Sequence, residues 1–227
     1  MTATASRTDA ARQPADVRAL DRRVAAVLMP IGPAAVAVLR FVLPADPAAH
    51  PGAQRLVVWL GLVAVLTLLP GALAAIRLLR RYTPLLATGI AALLVPGYLG
   101  MTALIAADAG TLGAIDLGLP AGQVTELSDA TFAVPTMTIL VLLFVVGHIL
   151  GTLLLGIAAF RARLMPRPVA GALAVSQFVH LAAVIGGWPL VDLLAWTTTA
   201  VGMAFLARVV LRTPDDEWDL PPLPSGY

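Results

Sequence analysis

The sequence predicts an all-α fold: a polytopic membrane helix bundle with six transmembrane helices and both termini in the cytoplasm. Three observations carry that reading. Hydrophobic residues fill 59% of the 227 positions and charged residues only 12%, against about 45–50% and about 25% in soluble domains. Apolar stretches long enough to cross roughly 30 Å of hydrocarbon recur six times. The fifteen basic residues are all arginine, and most gather at alternate turns between those stretches. A mean hydropathy of +0.89 excludes a disordered chain. The absence of cysteine excludes a disulfide scaffold, thiolate metal sites and Fe–S chemistry.

Taken between charges, the spans are 24–43, 56–80, 84–107, 133–160, 168–187 and 189–211. The first follows a polar, arginine-rich segment, 1–23, expected to be a disordered cytoplasmic arm. Its apolar run exceeds that of a signal peptide and no cleavage site follows, so it is read as a retained span. The second is uncharged between Arg55 and Arg77. Proline suits the first helical turn, which places helix starts at Pro84, Pro168 and Pro189. The fourth span is long enough to tilt or to project beyond the bilayer. Gly186, Gly187 and Trp188 leave only a tight turn between the fifth and sixth. Segment 108–132 reads as an acidic outer loop with Asp108, Asp116, Glu126 and Asp129, in which Ser128 or Asp129 is placed to cap the next helix. Segment 213–227 reads as a flexible acidic tail whose carboxylates face the cytoplasmic arginines.

Arginine placement orients the chain. Arg7, Arg12, Arg18, Arg22 and Arg23 precede span one; Arg77, Arg80 and Arg81 follow span two; Arg161, Arg163 and Arg167 lie between spans four and five; Arg208 and Arg212 close span six. The positive-inside rule then puts both termini in the cytoplasm of a bacterial inner (plasma) membrane, with Arg40 and Arg55 as the exceptions. Trp59, Phe132 and Trp188 fall at the expected outer boundary, and Tyr82 and Phe160 at the inner one. Basic residues at span ends form no stripe, so the net charge of +2 does not indicate nucleic acid. The lipid bilayer is the expected environment, with a homo-oligomer or a membrane partner subunit as possible company.

Intramembrane ionisable groups are expensive and mark interior faces or cavities. His148 lies thirteen residues before Arg161 and His180 thirteen after Arg167, so both stand roughly 20 Å above the cytoplasmic turn. Thr152 shares the His148 face, and Ser176 and Gln177 the His180 face. Three readings of the pair stay open: structural hydrogen bonding, a site or path for a small ligand or protons, and axial ligation of a b-type haem in an electron carrier. Zinc would need further ligands at that depth. His50 falls in an outer loop and reads as solvated. Arg40 and Asp192, of opposite sign and similar depth, form an expected outer ion pair, with Trp196 and Thr199 further along the Asp192 face.

Gly147 and Gly151 form a small-xxx-small pair suited to close helix packing, as in an assembly or regulatory subunit with no ligand. Pro30, Pro33, Pro70 and Pro96 are expected to kink the first three spans and to open a cavity toward the cytoplasm. No HExxH, GxSxG or P-loop occurs, no Ser–His–Asp set shares one depth, and the chain has no lysine for a Schiff base. The expected function is therefore non-enzymatic: binding or conducting a small ligand or protons around His148 and His180. The stretch GHILGTLLLGIAAFRARLMPRP, residues 147–168, resembles uncharacterised small multi-pass membrane proteins of high-GC actinobacteria, a resemblance that implies a membrane location and no activity.

Overall fold

The structure, a computed structural model, describes residues 17–214, 217 and 218. Among them are seven helices: α1 (Arg18–Val42), α2 (Pro51–Arg80), α3 (Pro84–Asp116), α4 (Ala121–Ala133), α5 (Pro135–Arg161), α6 (Arg167–Gly186) and α7 (Pro189–Arg212). All but α4 are long and apolar enough to cross a membrane. Large side chains such as Leu66, Ile139, Ile185 and Leu194 point outward from them, which suits helices surrounded by lipid rather than water. Trp59, Tyr82, Phe132, Phe160 and Trp188 are also exposed, as interfacial rings should be.

Each long helix packs on its neighbours in sequence, α3 meets α5 past the short α4, and α7 closes on α1. Six spanning helices thus form a closed ring of contacts in which α1 and α7 are antiparallel partners. Arg22 of α1 donates to the carbonyls of Val210 (3.2 Å) and Leu211 (2.7 Å) at the end of α7, where a helix C-terminus leaves carbonyls short of main-chain donors. That contact defines the terminus end of the bundle; the opposite end is the far end.

Several expected boundaries move, and each has a physical cause. Segment 1–23 is not all arm. The chain is helical from Arg18, where Arg22 caps α7 and Asp21 binds Arg77 at 2.6 Å; residues 1–16 lie outside those described. The outer loop 108–132 is replaced by two helical pieces. The alanine-rich 106–116 stretch favours continuing α3, Gln54 donates to the Asp108 carbonyl, and Arg55 pairs with Asp116 at 2.8 Å. Gly118, at φ +75°, turns the chain into α4. Ser128 and Asp129 lie inside α4, and α5 starts after Val134 with no side-chain cap. In the tail segment 213–227, Trp218 is buried and donates to Asp21 at 3.2 Å, and Glu217 pairs with Arg81 at 3.1 Å.

Helices α1, α2 and α3 run through Pro30, Pro33, Pro70 and Pro96 without ending. Their glycines sit at crossings instead. A Cβ on Gly71 would stand 2.9 Å from the Met29 Cα, one on Gly32 would meet Leu68, and one on Gly97 would stand 3.1 Å from the Gly147 Cα. Pro70 lines a pocket of about 200 Å³ at the terminus end, between α1, α2 and Trp218, where Val24 and Leu73 are exposed and the pocket faces outward from the core. At that level Met29, Leu79, Ile90, Leu94, Leu155, Leu173 and Leu206, drawn from all six long helices, are fully buried and fill the terminus-end half.

Gly147 and Gly151 pack on α3 of the same chain: a Cβ at Gly147 would collide with the Leu93 carbonyl oxygen, and one at Gly151 would stand 2.6 Å from the Leu94 side chain. Small residues bring membrane helices into van der Waals contact where no hydrophobic force drives them together. Gly147→Ala should therefore cost roughly 1–3 kcal/mol, the usual range for overpacking. Gly171→Ala, with open space around its new methyl, should be neutral or mildly stabilising. Reversible unfolding in mixed detergent micelles measures both; equal effects would contradict the tight seam.

Candidate functional site

The far-end half of the ring contrasts with the packed terminus-end half. A cavity of about 300 Å³ opens there between α1, α3, α5, α6 and α7, with the end of α4 at its rim. Its walls are mainly aliphatic, including Val36, Met101, Leu104 and Val184, with Phe132, Phe144 and Trp196 as aromatic surfaces. Arg40, Asp108 and His180 are its ionisable lining. The volume lies at the small end of the range for ligand pockets.

Asp192 organises the polar part. Its carboxylate is 2% exposed; Oδ2 accepts from Arg40 Nε at 2.9 Å and Oδ1 lies 2.5 Å from His180 Nδ1. The local sequence explains how α6 and α7 bring those groups together. Gly187 takes φ +68°, and the Gly187 and Trp188 amides bond back to Val184 and Ala183, a left-handed helix end that suits glycine. The chain then reverses within two residues, so His180 and Asp192 face one another across a short hairpin.

Trp196 follows Asp192 by one helical turn, and its indole Nε1–H points at His180 Nδ1 from 3.1 Å. One nitrogen cannot donate to a carboxylate and accept from an indole at once. Arg40 stands against the same carboxylate, and a carboxylate paired with a guanidinium is a stronger acceptor than a neutral ring nitrogen. The Nδ1 proton is therefore assigned to the bond with Asp192, an arrangement that in the neutral ring leaves the lone pair on Nε2. Nε2 has no protein partner among the described residues and is not sealed from the cavity that His180 lines. The Arg40 guanidinium likewise spends only Nε on Asp192.

His148 stands beside this group but is not hydrogen-bonded to it. Its Nδ1 donates to the Phe144 carbonyl at 2.6 Å, and its buried Nε2 has no partner among the described residues. The ring stacks on Phe144 at 4.3 Å and on Trp196 at 5.7 Å, and its centroid is 5.5 Å from that of His180 at 60°. Ser176, Gln177 and Thr199 form a separate cluster: Gln177 Nε2 donates to Thr199 Oγ1 at 2.6 Å, and Ser176 Oγ is 2.9 Å from it. Thr152 interacts with Tyr98 of α3 instead. The five residues expected to share one site thus divide into four settings, and His180 is the one that reaches the cavity.

One member of the expected histidine pair, His180, joins the expected Arg40–Asp192 ion pair in one network, and His148 stays outside it. Sequence reasoning set His180 against His148 and Arg40 against Asp192 without joining them. The signal was present: Asp192 and Trp196 are four apart on one face, and the Gly186–Gly187 turn folds that face onto His180. An Asp–His pair is also the orienting half of a hydrolytic triad. Ser176 does not complete one, because its hydroxyl is engaged by Thr199 and the Leu173 carbonyl.

No family model, no curated protein and no solved structure matches this chain. The site's chemistry therefore rests on its own geometry.

Removing one partner of a buried ion pair leaves the other uncompensated. Asp192→Asn should destabilise the fold by about 3 kcal/mol, the low end of the buried range, because the Arg40 side chain is 27% exposed. The double variant Arg40→Met, Asp192→Leu should recover most of that loss. A double-mutant cycle in mixed micelles measures the coupling; additive losses would show that the two charges do not support each other.

Proposed function

We propose that this integral membrane protein binds a small amphipathic molecule in the far-end vestibule, with its polar group against Arg40 and His180 and its apolar body against the Leu, Val, Met and Phe walls. The observation that carries the reading is a buried, fully paired Asp192 that holds Arg40 and His180 in place while leaving Arg40 Nη1 and Nη2 and His180 Nε2 unspent beside a cavity. Groups positioned before a ligand arrives cost it little ordering. The arginine asymmetry supports a vestibule on the outer side, with both termini in the cytoplasm of a bacterial plasma membrane.

Conduction of protons is less well supported. From the vestibule the polar groups reach Gln177 and Thr199, and then Leu173, Leu206, Met29 and Leu155 fill the interior. A proton relay requires polar groups or water throughout its length, and this arrangement ends about halfway.

A haem between His148 and His180 does not fit the rings as they stand. Axial imidazoles stand on opposite faces of a planar macrocycle. These two rings lie 5.5 Å apart, tilted, and share Trp196 as a common packing partner, while Phe144 covers the His148 ring. The assembly-subunit reading loses its main support, because Gly147 and Gly151 are used within the chain.

Purified protein extracted into organic solvent should release an amphipathic small molecule in near-stoichiometric amount, and Val184→Trp, which fills the vestibule from a half-exposed position, should abolish it. Proteoliposomes should dissipate an imposed pH gradient no faster than protein-free vesicles, and the visible spectrum should show no Soret band. A protein-dependent proton flux that His180→Ala removes would replace binding with conduction.

A further inference from the structure

The vestibule's donors and acceptors specify more than amphipathic character. We infer that its ligand is a membrane-soluble phenol of the quinol type, bound in preference to the corresponding quinone. This rests on the vestibule being a ligand site, and it names the chemistry of the group bound there.

Charge narrows the class first. Arg40 is already neutralised by Asp192, and Asp108 lines the same cavity. The one guanidinium of the lining is thus already matched, so a carboxylate or phosphate head finds no unpaired arginine and is disfavoured. The free guanidinium nitrogens of Arg40 disfavour an ammonium. A neutral head remains.

Hydrogen-bond polarity narrows it further. His180 donates through Nδ1 to Asp192 and presents Nε2 as an acceptor, whereas Arg40 presents only donors. Both are tied to opposite oxygens of one carboxylate, so they are neighbours at the vestibule floor. A hydroxyl seated between the two would serve both, donating its proton toward Nε2 and accepting from Arg40. A carbonyl satisfies Arg40 alone. Among hydroxyls, a phenol is the stronger donor because it is far more acidic than an alkanol, at about pKa 10 in tyrosine. Phe132, Phe144 and Trp196 around the cavity provide surfaces for an aromatic ring. The half-open, lipid-compatible walls accommodate an apolar chain on that ring.

The test is calorimetric titration of protein in nanodiscs, with empty nanodiscs subtracted, under anaerobic conditions. The probes are a decyl-chain ubiquinol, its quinone, decanol and decylamine. The quinol should bind about tenfold more tightly than the quinone, the value of one additional hydrogen bond. His180→Phe, which keeps a ring but removes Nε2, should erase that preference, and Val184→Trp should remove binding of every probe. The quinol-to-quinone ratio of the unaltered protein decides the matter even if His180→Phe does not fold. Equal or tighter binding of the quinone, decanol or decylamine, lost in Val184→Trp, overturns the phenol assignment and leaves the vestibule reading standing. Binding that survives Val184→Trp, or no binding of any probe, overturns both.

Discussion

A carboxylate enclosed among apolar helices must be matched on both oxygens, and Asp192 meets that requirement with groups from two other helices. Arg40 comes from α1 and His180 from α6, so the pairing ties three helices together at the far end. The opposite end is tied by a second arginine on the same helix. Positions 22 and 40 are 18 residues apart, which is five full helical turns and about 27 Å. Both side chains therefore leave α1 on the face that meets α7, one at each end of a span of bilayer length. Arg22 donates to carbonyls at the end of α7 while Arg40 neutralises the acid near its start. The charges that look anomalous in an apolar sequence fix the register of its first and last helices.

Within that frame the two halves of the bundle pack differently. Toward the terminus end, glycines at crossings let backbones touch, and large aliphatic side chains from every long helix fill the interior. Toward the far end, the polar network occupies the seam of α1, α6 and α7, and the remaining space becomes the vestibule. A polar network cannot collapse like an aliphatic core, since each member must keep its partner geometry. The cavity is a consequence of placing a charged, hydrogen-bonded group where a leucine would otherwise pack. At the terminus end, Trp218 lies against Asp21 and under the Arg77 guanidinium at 5.5 Å, joining the chain after α7 to the α1–α2 pair.

Most of the fold was legible in the sequence because membrane crossing imposes a length and a polarity that composition alone reveals. Six helices follow from six apolar runs, and their ends follow from arginine and proline. What escaped lies where tertiary contacts override local signals. The acidic 108–132 segment looked like a loop because charge and glycine suggest solvent, yet Gln54 and Arg55 on α2 hold its first part helical. The prolines suggested a cavity into the bundle, but the glycines beside them bring neighbouring helices into contact, and the pocket at Pro70 stays between α1, α2 and Trp218. Of the site, the residue types were visible and the partnerships were not. His148 and His180 share a depth, but Phe144 and Trp196 cover the first ring and leave the second to pair with Asp192. No periodicity along one helix encodes which face of another it meets.

The central claim is that the bundle is open at the far end down to the Arg40–Asp192–His180 network and sealed below it. The chain contains no cysteine, so single cysteines can be introduced without background and probed with a membrane-impermeant thiol reagent added from one side. Leu104→Cys and Val184→Cys should label from the far-end side, while Leu173→Cys and Leu206→Cys should resist labelling from either side. Labelling of Leu173→Cys or Leu206→Cys, or of Val184→Cys only from the terminus side, would contradict the account.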